Sequence, residues 1–115
     1  MKKAALFVFN GDPMCFIHVL LNAIDMRDKE IAAEIIIEGA ATKLIPELEK
    51  NEHFLHGLWE KTKALKLIGG VCRACASKMG TIEDAKKLGF TLLDDMSGHP
   101  SIAGYRLSGY EIITF

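Results

Sequence analysis

Short runs dominated by apolar and β-branched residues, separated by helix-sized segments, constrain most strongly how this chain can fold. Ala4-Ala5-Leu6-Phe7-Val8-Phe9 is apolar at every position. A strand with one buried face alternates apolar and polar residues. A run without alternation fits a strand covered on both faces, as in a parallel sheet. Ile31-Ala32-Ala33-Glu34-Ile35-Ile36-Ile37 is a second run, rich in β-branched residues. Leu67 to Val71, Phe90 to Leu93 and Tyr110 to Phe115 supply three more. Helix patterns lie between them. Asp12 can cap a helix whose first residue is Pro13. From Met14 to Met26 the polar positions His18, Asn22 and Asp25 form one narrow stripe, which predicts a helix buried on most sides. Leu44 to Lys50 predicts a short helix, with Pro46 in or near its first turn. Phe54, Leu55, Leu58, Trp59, Thr62 and Leu65 mark one face of another. Gly80 reads as the C-cap of a segment Arg73 to Met79, and Thr81 with Glu83 and Asp84 as the next helix start. Ser101 to Ser108 predicts a last short helix. Strands alternating with helices mean a parallel sheet with helices on both faces.

The 115 residues fit a single domain, 1–115, with no internal repeat or linker. Half of them are hydrophobic, rich for so small a domain, and this predicts apolar surface covered by further subunits. The net charge of −1, with acids and bases interspersed, offers no basic stripe for nucleic acid. The apolar runs are too short to span a bilayer, so no membrane partner is expected. Met1-Lys2-Lys3 and the apolar run after it resemble a signal-peptide start, but Asn10-Gly11-Asp12-Pro13 interrupts the run early. Three cysteines, an odd number, do not suggest a secreted disulfide framework, and a cytoplasmic protein is expected.

In a parallel sheet, ligands and reactive groups gather at the carboxyl ends of the strands. Asn10 to Pro13, Glu38 to Ala41, Cys72 to Cys75 and Asp94 to His99 all fall there. The segment Gly69-Gly70-Val71-Cys72-Arg73-Ala74-Cys75 carries two of the three cysteines at C-x-x-C spacing, where a strand hands over to a helix. The free N–H groups of a helix start, with Arg73 and Lys78 nearby, predict a stabilised thiolate at Cys72, the reactive form of cysteine. Cys75 is the second thiol. C-x-x-C also serves redox and metal sites, and isolated cysteines often only fill space. His99, in Ser97-Gly98-His99-Pro100, is placed to act as acid or base or to steady a thiolate; an exposed loop histidine is the plain alternative. Asn10 and Gly11 are expected to line the same edge. Cys15 reads as core, and His18 as facing solvent or an interface. Three cysteines plus His99 have the chemistry to hold zinc or an iron–sulfur cluster, but no second C-x-x-C is present, so metal ranks below thiol chemistry. Gly69-Gly70 matches neither a phosphate loop nor a dinucleotide fingerprint, and no motif implies an organic cofactor.

The apolar first strand closed by Asn10-Gly11, the Val71-Cys72-Arg73-Ala74-Cys75 segment, Lys78-Met79-Gly80 and the final Gly109-Tyr110-Glu111-Ile112-Ile113-Thr114-Phe115 resemble the DsrE/DsrF-like family of small sulfur-handling proteins. The resemblance implies a three-layer α/β/α sandwich with a five-stranded, mainly parallel sheet. It implies homotrimers or hexamers, and protein donors and acceptors of sulfur carried as a cysteine persulfide. Cys72 falls at the position of the sulfur-carrying cysteine. Cys75 departs from the single-cysteine relay members and suggests a resolving or assisting thiol. Two other readings stand beside sulfur transfer: a non-catalytic oligomeric binding or assembly module with structural cysteines, and a metal-binding regulator.

Overall fold

The computed structural model describes residues Met1–Phe115. Five strands form one sheet: β1 (Lys3–Val8), β2 (Ala32–Ile37), β3 (Ile68–Cys72), β4 (Leu92–Leu93) and β5 (Tyr110–Thr114). Their spatial order is β4-β3-β2-β1-β5, and all four pairings are parallel. Six α-helices connect them: α1 (Pro13–Asp28), α2 (Ile45–Leu48), α3 (His56–Ala64), α4 (Arg73–Lys78), α5 (Ile82–Lys87) and α6 (Ile102–Leu107). The α/β class and the five-stranded parallel sheet are as expected.

Strand order decides where the helices lie. From β1 to β4 the chain steps across the sheet in one direction, then jumps back past β1 to β5. Crossovers between parallel strands are right-handed, so reversing the direction of travel moves the connector to the opposite face. The larger core accordingly joins Leu6, Val8, Ile35, Ile37 and Val71 of the sheet to residues from α1 to α5. The smaller one joins Ala5, Phe7 and Ile36 to Tyr105 of α6 and Tyr110. Both faces of β1 are covered, which is why Ala4–Val8 is buried without alternation. Each large side chain fully buried there contributes roughly 1.5–3 kcal/mol.

Some local expectations hold, among them the helix starts at Asp12 and Thr81, and others are corrected. Asp12 caps α1 through its carboxylate, which accepts the Met14 N–H at 2.9 Å. Only Phe16, Val19, Leu20, Ala23 and Ile24 of α1 are buried, however, while Met14 and Leu21 are exposed. The sheet lies against one side of this helix and its back faces outward. The short helix expected over Leu44 to Lys50 is present as the single turn of α2, with Pro46 at its start, and a 3-10 helix, Gly39–Leu44, which was not expected, leads into it. Before α3, Leu55 turns inward with Trp59 and Thr62, but Phe54 is exposed and stacks on His53. The strand expected over Phe90 to Leu93 shortens to two residues at the sheet edge. The Thr81 hydroxyl does not cap α5; it donates to the Thr42 carbonyl at 2.9 Å, tying α5 to the 3-10 helix. No helix is long and apolar enough to cross a membrane.

The glycine pair in β3 positions the cysteines. The register of β2 against β3 slips between Ile35 and Ile36, which pair with Ile68 and Gly70, so Gly69 is the extra residue of a bulge. A Cβ on Gly70 would lie 2.7 Å from Leu93 Cγ. Glycine there lets β4 close onto β3, and the loop after β4 then passes over Cys72.

Candidate functional site

Cys72 is the last residue of β3 and the N-cap of α4. Its backbone is extended (φ −63°, ψ 118°), and its sulfur accepts the Cys75 N–H at 3.4 Å. Cys72 is fully buried; Cys75, one turn on, is half-buried. The roof is the loop after β4. Met96 and His99 exchange backbone hydrogen bonds of 2.8 and 3.0 Å across a two-residue turn. Ser97 and Gly98 both have positive φ, +50° and +91°, the requirement of a type I′ hairpin turn. The Gly98 carbonyl accepts the Ala74 N–H at 2.9 Å, which docks the turn on the start of α4. Asp94 adds an ion pair with Arg73 at 3.0 Å.

This docking places His99 Nδ1 3.1 Å from Cys72 Sγ and 3.8 Å from Cys75 Sγ. The Cys72 thiol also faces the Gly98 carbonyl at 3.7 Å. Glu38, directly after β2 and only 7% exposed, completes the group. One donor atom from each of Glu38, Cys72, Cys75 and His99 lies within 4.8 Å of every other. Phe9, Met96, Pro100 and Ile102 wall a neighbouring cleft of about 400 Å³, with Glu38 and His99 also in its lining.

The expectation of a standing thiolate at Cys72 is not met. Burial pushes its thiol up to about 12; the Cys75 N–H pulls the other way, and the Cys75 thiol and Glu38 raise it further. Arg73 turns aside to Asp94, and Lys78 is exposed in the last turn of α4. Burial likewise raises Glu38, offset only in part by a hydrogen bond with the Cys72 thiol and by the charge on His99. Helix-start N–H groups lower a thiol's pKa where water can also reach the sulfur; under the hairpin roof desolvation wins.

The structure thus brings Cys72, Cys75 and His99 together, and Gly11 packs against Ala40 in the 3-10 helix. Asn10 turns back, its side chain accepting the Asp12 N–H at 2.8 Å, and lines a separate cleft with Cys15, His18, Asn22 and Phe115. Cys15 is half-buried there rather than in the core, and is not one of the four clustered residues. The sequence places Glu38 at a strand end and Phe9 at the close of an apolar run, but assigns neither a role in the site. Their signal was position: each directly follows a buried strand at the carboxyl edge.

The two thiols are near enough to be joined by mild oxidation. Diamide treatment of the reduced protein is expected to link Cys72 to Cys75 and leave Cys15 free, read by peptide mapping after alkylation. Full labelling of both residues after oxidation would show that the pair cannot close.

These features define a class: a parallel α/β domain whose carboxyl strand ends gather two cysteines, a histidine and a glutamate. No family model matches the chain. It is 37% identical over 97 residues to the uncharacterized protein MJ0733 of Methanocaldococcus jannaschii, covering 84% of this chain and 76% of that one, and it belongs to the same family. An uncharacterized protein of Archaeoglobus fulgidus is 44% identical over 41 residues, 36% of this chain and 67% of its own length. The fold is similar to that of BT1422 from Bacteroides thetaiotaomicron, a conserved protein of unknown function. The TM-score is 0.66 and the identity 20%, over 99% of this chain and 95% of that one, a likeness of fold alone.

Proposed function

We propose that the chain is a DsrE-like sulfur carrier in which Cys72 takes up sulfane sulfur. The observation that carries this reading is the 3.1 Å approach of His99 Nδ1 to Cys72 Sγ beside an apolar-walled cleft. A buried thiol is a poor nucleophile until its proton leaves, and the imidazole accepts that proton as the sulfur attacks. With a persulfide donor R–S–SH, Cys72 Sγ bonds to the terminal sulfur and the S–S bond of the donor breaks. The leaving R–S⁻ collects the proton from His99. The products are R–SH and Cys72–S–SH, with no net oxidation. An acceptor thiol then takes the terminal sulfur by the same exchange. Cys75 is close enough to attack the Cys72–S–SH group itself, forming the Cys72–Cys75 disulfide and releasing H₂S. A dithiol reductant would restore the pair.

Intact-mass measurement tests the proposal. Reduced, chelator-treated protein incubated with polysulfide should gain the mass of one sulfur atom, removable by dithiothreitol. Cys72→Ser should gain none, and Cys75→Ser should load and hold the sulfur longer. Equal loading of Cys72→Ser and native protein would overturn the assignment.

A further inference from the structure

Four electron-pair donors converge from three separate parts of the chain. Glu38 follows β2, Cys72 and Cys75 open α4, and His99 hangs from the hairpin after β4. Arg73, the nearest basic residue in sequence, is held by Asp94, and Lys78 is exposed, so neither supplies the group with positive charge. A buried cluster of thiol, carboxylate and imidazole is a donor set in search of a cation.

The geometry matches one. Tetrahedral zinc, with Zn–S of about 2.3 Å and Zn–N of about 2.0–2.1 Å, sets its sulfur and nitrogen ligands roughly 3.5 Å apart. The two sulfur-to-Nδ1 separations here, 3.1 and 3.8 Å, bracket that value. The widest donor separation allowed by the cluster, 4.8 Å, needs a contraction of about 1 Å to reach the tetrahedral edge. C-x-x-C is half of a common zinc site, and here the other half comes from the fold, not from a second motif. His99 is already oriented, because its backbone is fixed by the Met96 pairing and the Ser97-Gly98 turn.

We infer that Glu38, Cys72, Cys75 and His99 form a binding site for a thiophilic divalent cation, with Zn²⁺ the ion that suits two sulfurs, one imidazole and one carboxylate. Binding forms two metal–thiolate bonds and releases the two thiol protons to solvent, with no change of oxidation state. Magnesium and calcium, which prefer all-oxygen shells, are excluded by the sulfur donors. The ion would fasten the 3-10 helix, the start of α4 and the hairpin to one centre. The inference goes beyond the sulfur-carrier reading and is tested without any sulfur donor.

Cobalt(II) titration of reduced protein under nitrogen is the direct test. One equivalent should produce the ligand-field bands of four-coordinate Co²⁺ and thiolate-to-cobalt charge transfer, and one equivalent of Zn²⁺ should bleach both. Each of Cys72→Ser, Cys75→Ser, His99→Ala and Glu38→Gln should weaken binding by at least about tenfold, with Cys15→Ser unchanged. Circular dichroism establishes which variants fold. Zn²⁺ should also raise the melting temperature of the native chain and not that of Cys72→Ser. Absence of a thiolate-to-cobalt band in the native protein would overturn the site. Native-strength binding by Glu38→Gln, or loss of binding in Cys15→Ser, would overturn this ligand set.

Discussion

Replacing His99 by alanine is expected to slow sulfur loading of Cys72 by about 10²- to 10⁴-fold, the usual contribution of a positioned general base. The effect should be large because the Cys72 thiol is held protonated by burial, up to about 12, and Nδ1 is its partner at 3.1 Å. The backbone of residue 99, not its side chain, holds the hairpin: its N–H and carbonyl pair with Met96 at 3.0 and 2.8 Å. Alanine keeps both bonds, so the roof should remain over Cys72. Free imidazole, small enough for the adjoining cleft of about 400 Å³, should restore part of the rate in His99→Ala. Stopped-flow or quenched intact-mass kinetics in excess chelator would measure both effects. A loading rate within about threefold of native would remove His99 from the mechanism, since general-base loss costs far more.

The largest effect on stability is expected at Trp59, where alanine should cost about 3–5 kcal/mol. Its side chain is 0% exposed. It stands edge-on to Phe90 at 5.8 Å and tilted against Phe16 at 6.3 Å, joining α3 to α1 and to the lead into β4. Its Nε1–H donates to Glu49 at 2.6 Å, and Lys63 pairs with the same carboxylate. Burial would raise Glu49, but the hydrogen bonds from Lys63 and Trp59 and the charges of Lys63 and His56 outweigh it and hold the carboxyl below its ordinary range. Phenylalanine at 59 keeps most of the ring packing and loses the bond to Glu49, so it should cost about 1–2 kcal/mol. Urea unfolding separates the two variants. A loss below about 1 kcal/mol for Trp59→Ala would mean that the surrounding core collapses to fill the space.

The strands were legible because burial on both faces leaves an unbroken apolar run, as at Ala4–Val8. The C-x-x-C pair and His99 were legible as residues at strand ends. Their meeting was not, because it depends on β4 closing onto Gly70 and on the Ser97-Gly98 turn aiming the histidine. Glu38 was legible only as a strand-end residue for the same reason: a single acid after a strand acquires chemistry only from neighbours distant in sequence. The thiolate expectation failed at Cys72 because local rules describe a helix start in water, and the roof over this one comes from about 25 residues further along. The two-sided helix packing was legible from alternation; its lopsidedness, with α6 alone on one face, follows from a strand order that periodicity does not carry.

Strand β1 has a temporal consequence. It pairs on one side with β2, which is made soon after it, and on the other with β5, in register Lys3 to Tyr110. Through most of synthesis β1 therefore presents an unsatisfied, apolar edge, and its second partner arrives only across a very long loop. Such distant pairings close slowly, and open edges recruit other chains. The nascent polypeptide is most exposed to aggregation in the interval between the emergence of Phe7 and that of Thr114, and a chaperone that shields this one edge would guard the whole domain.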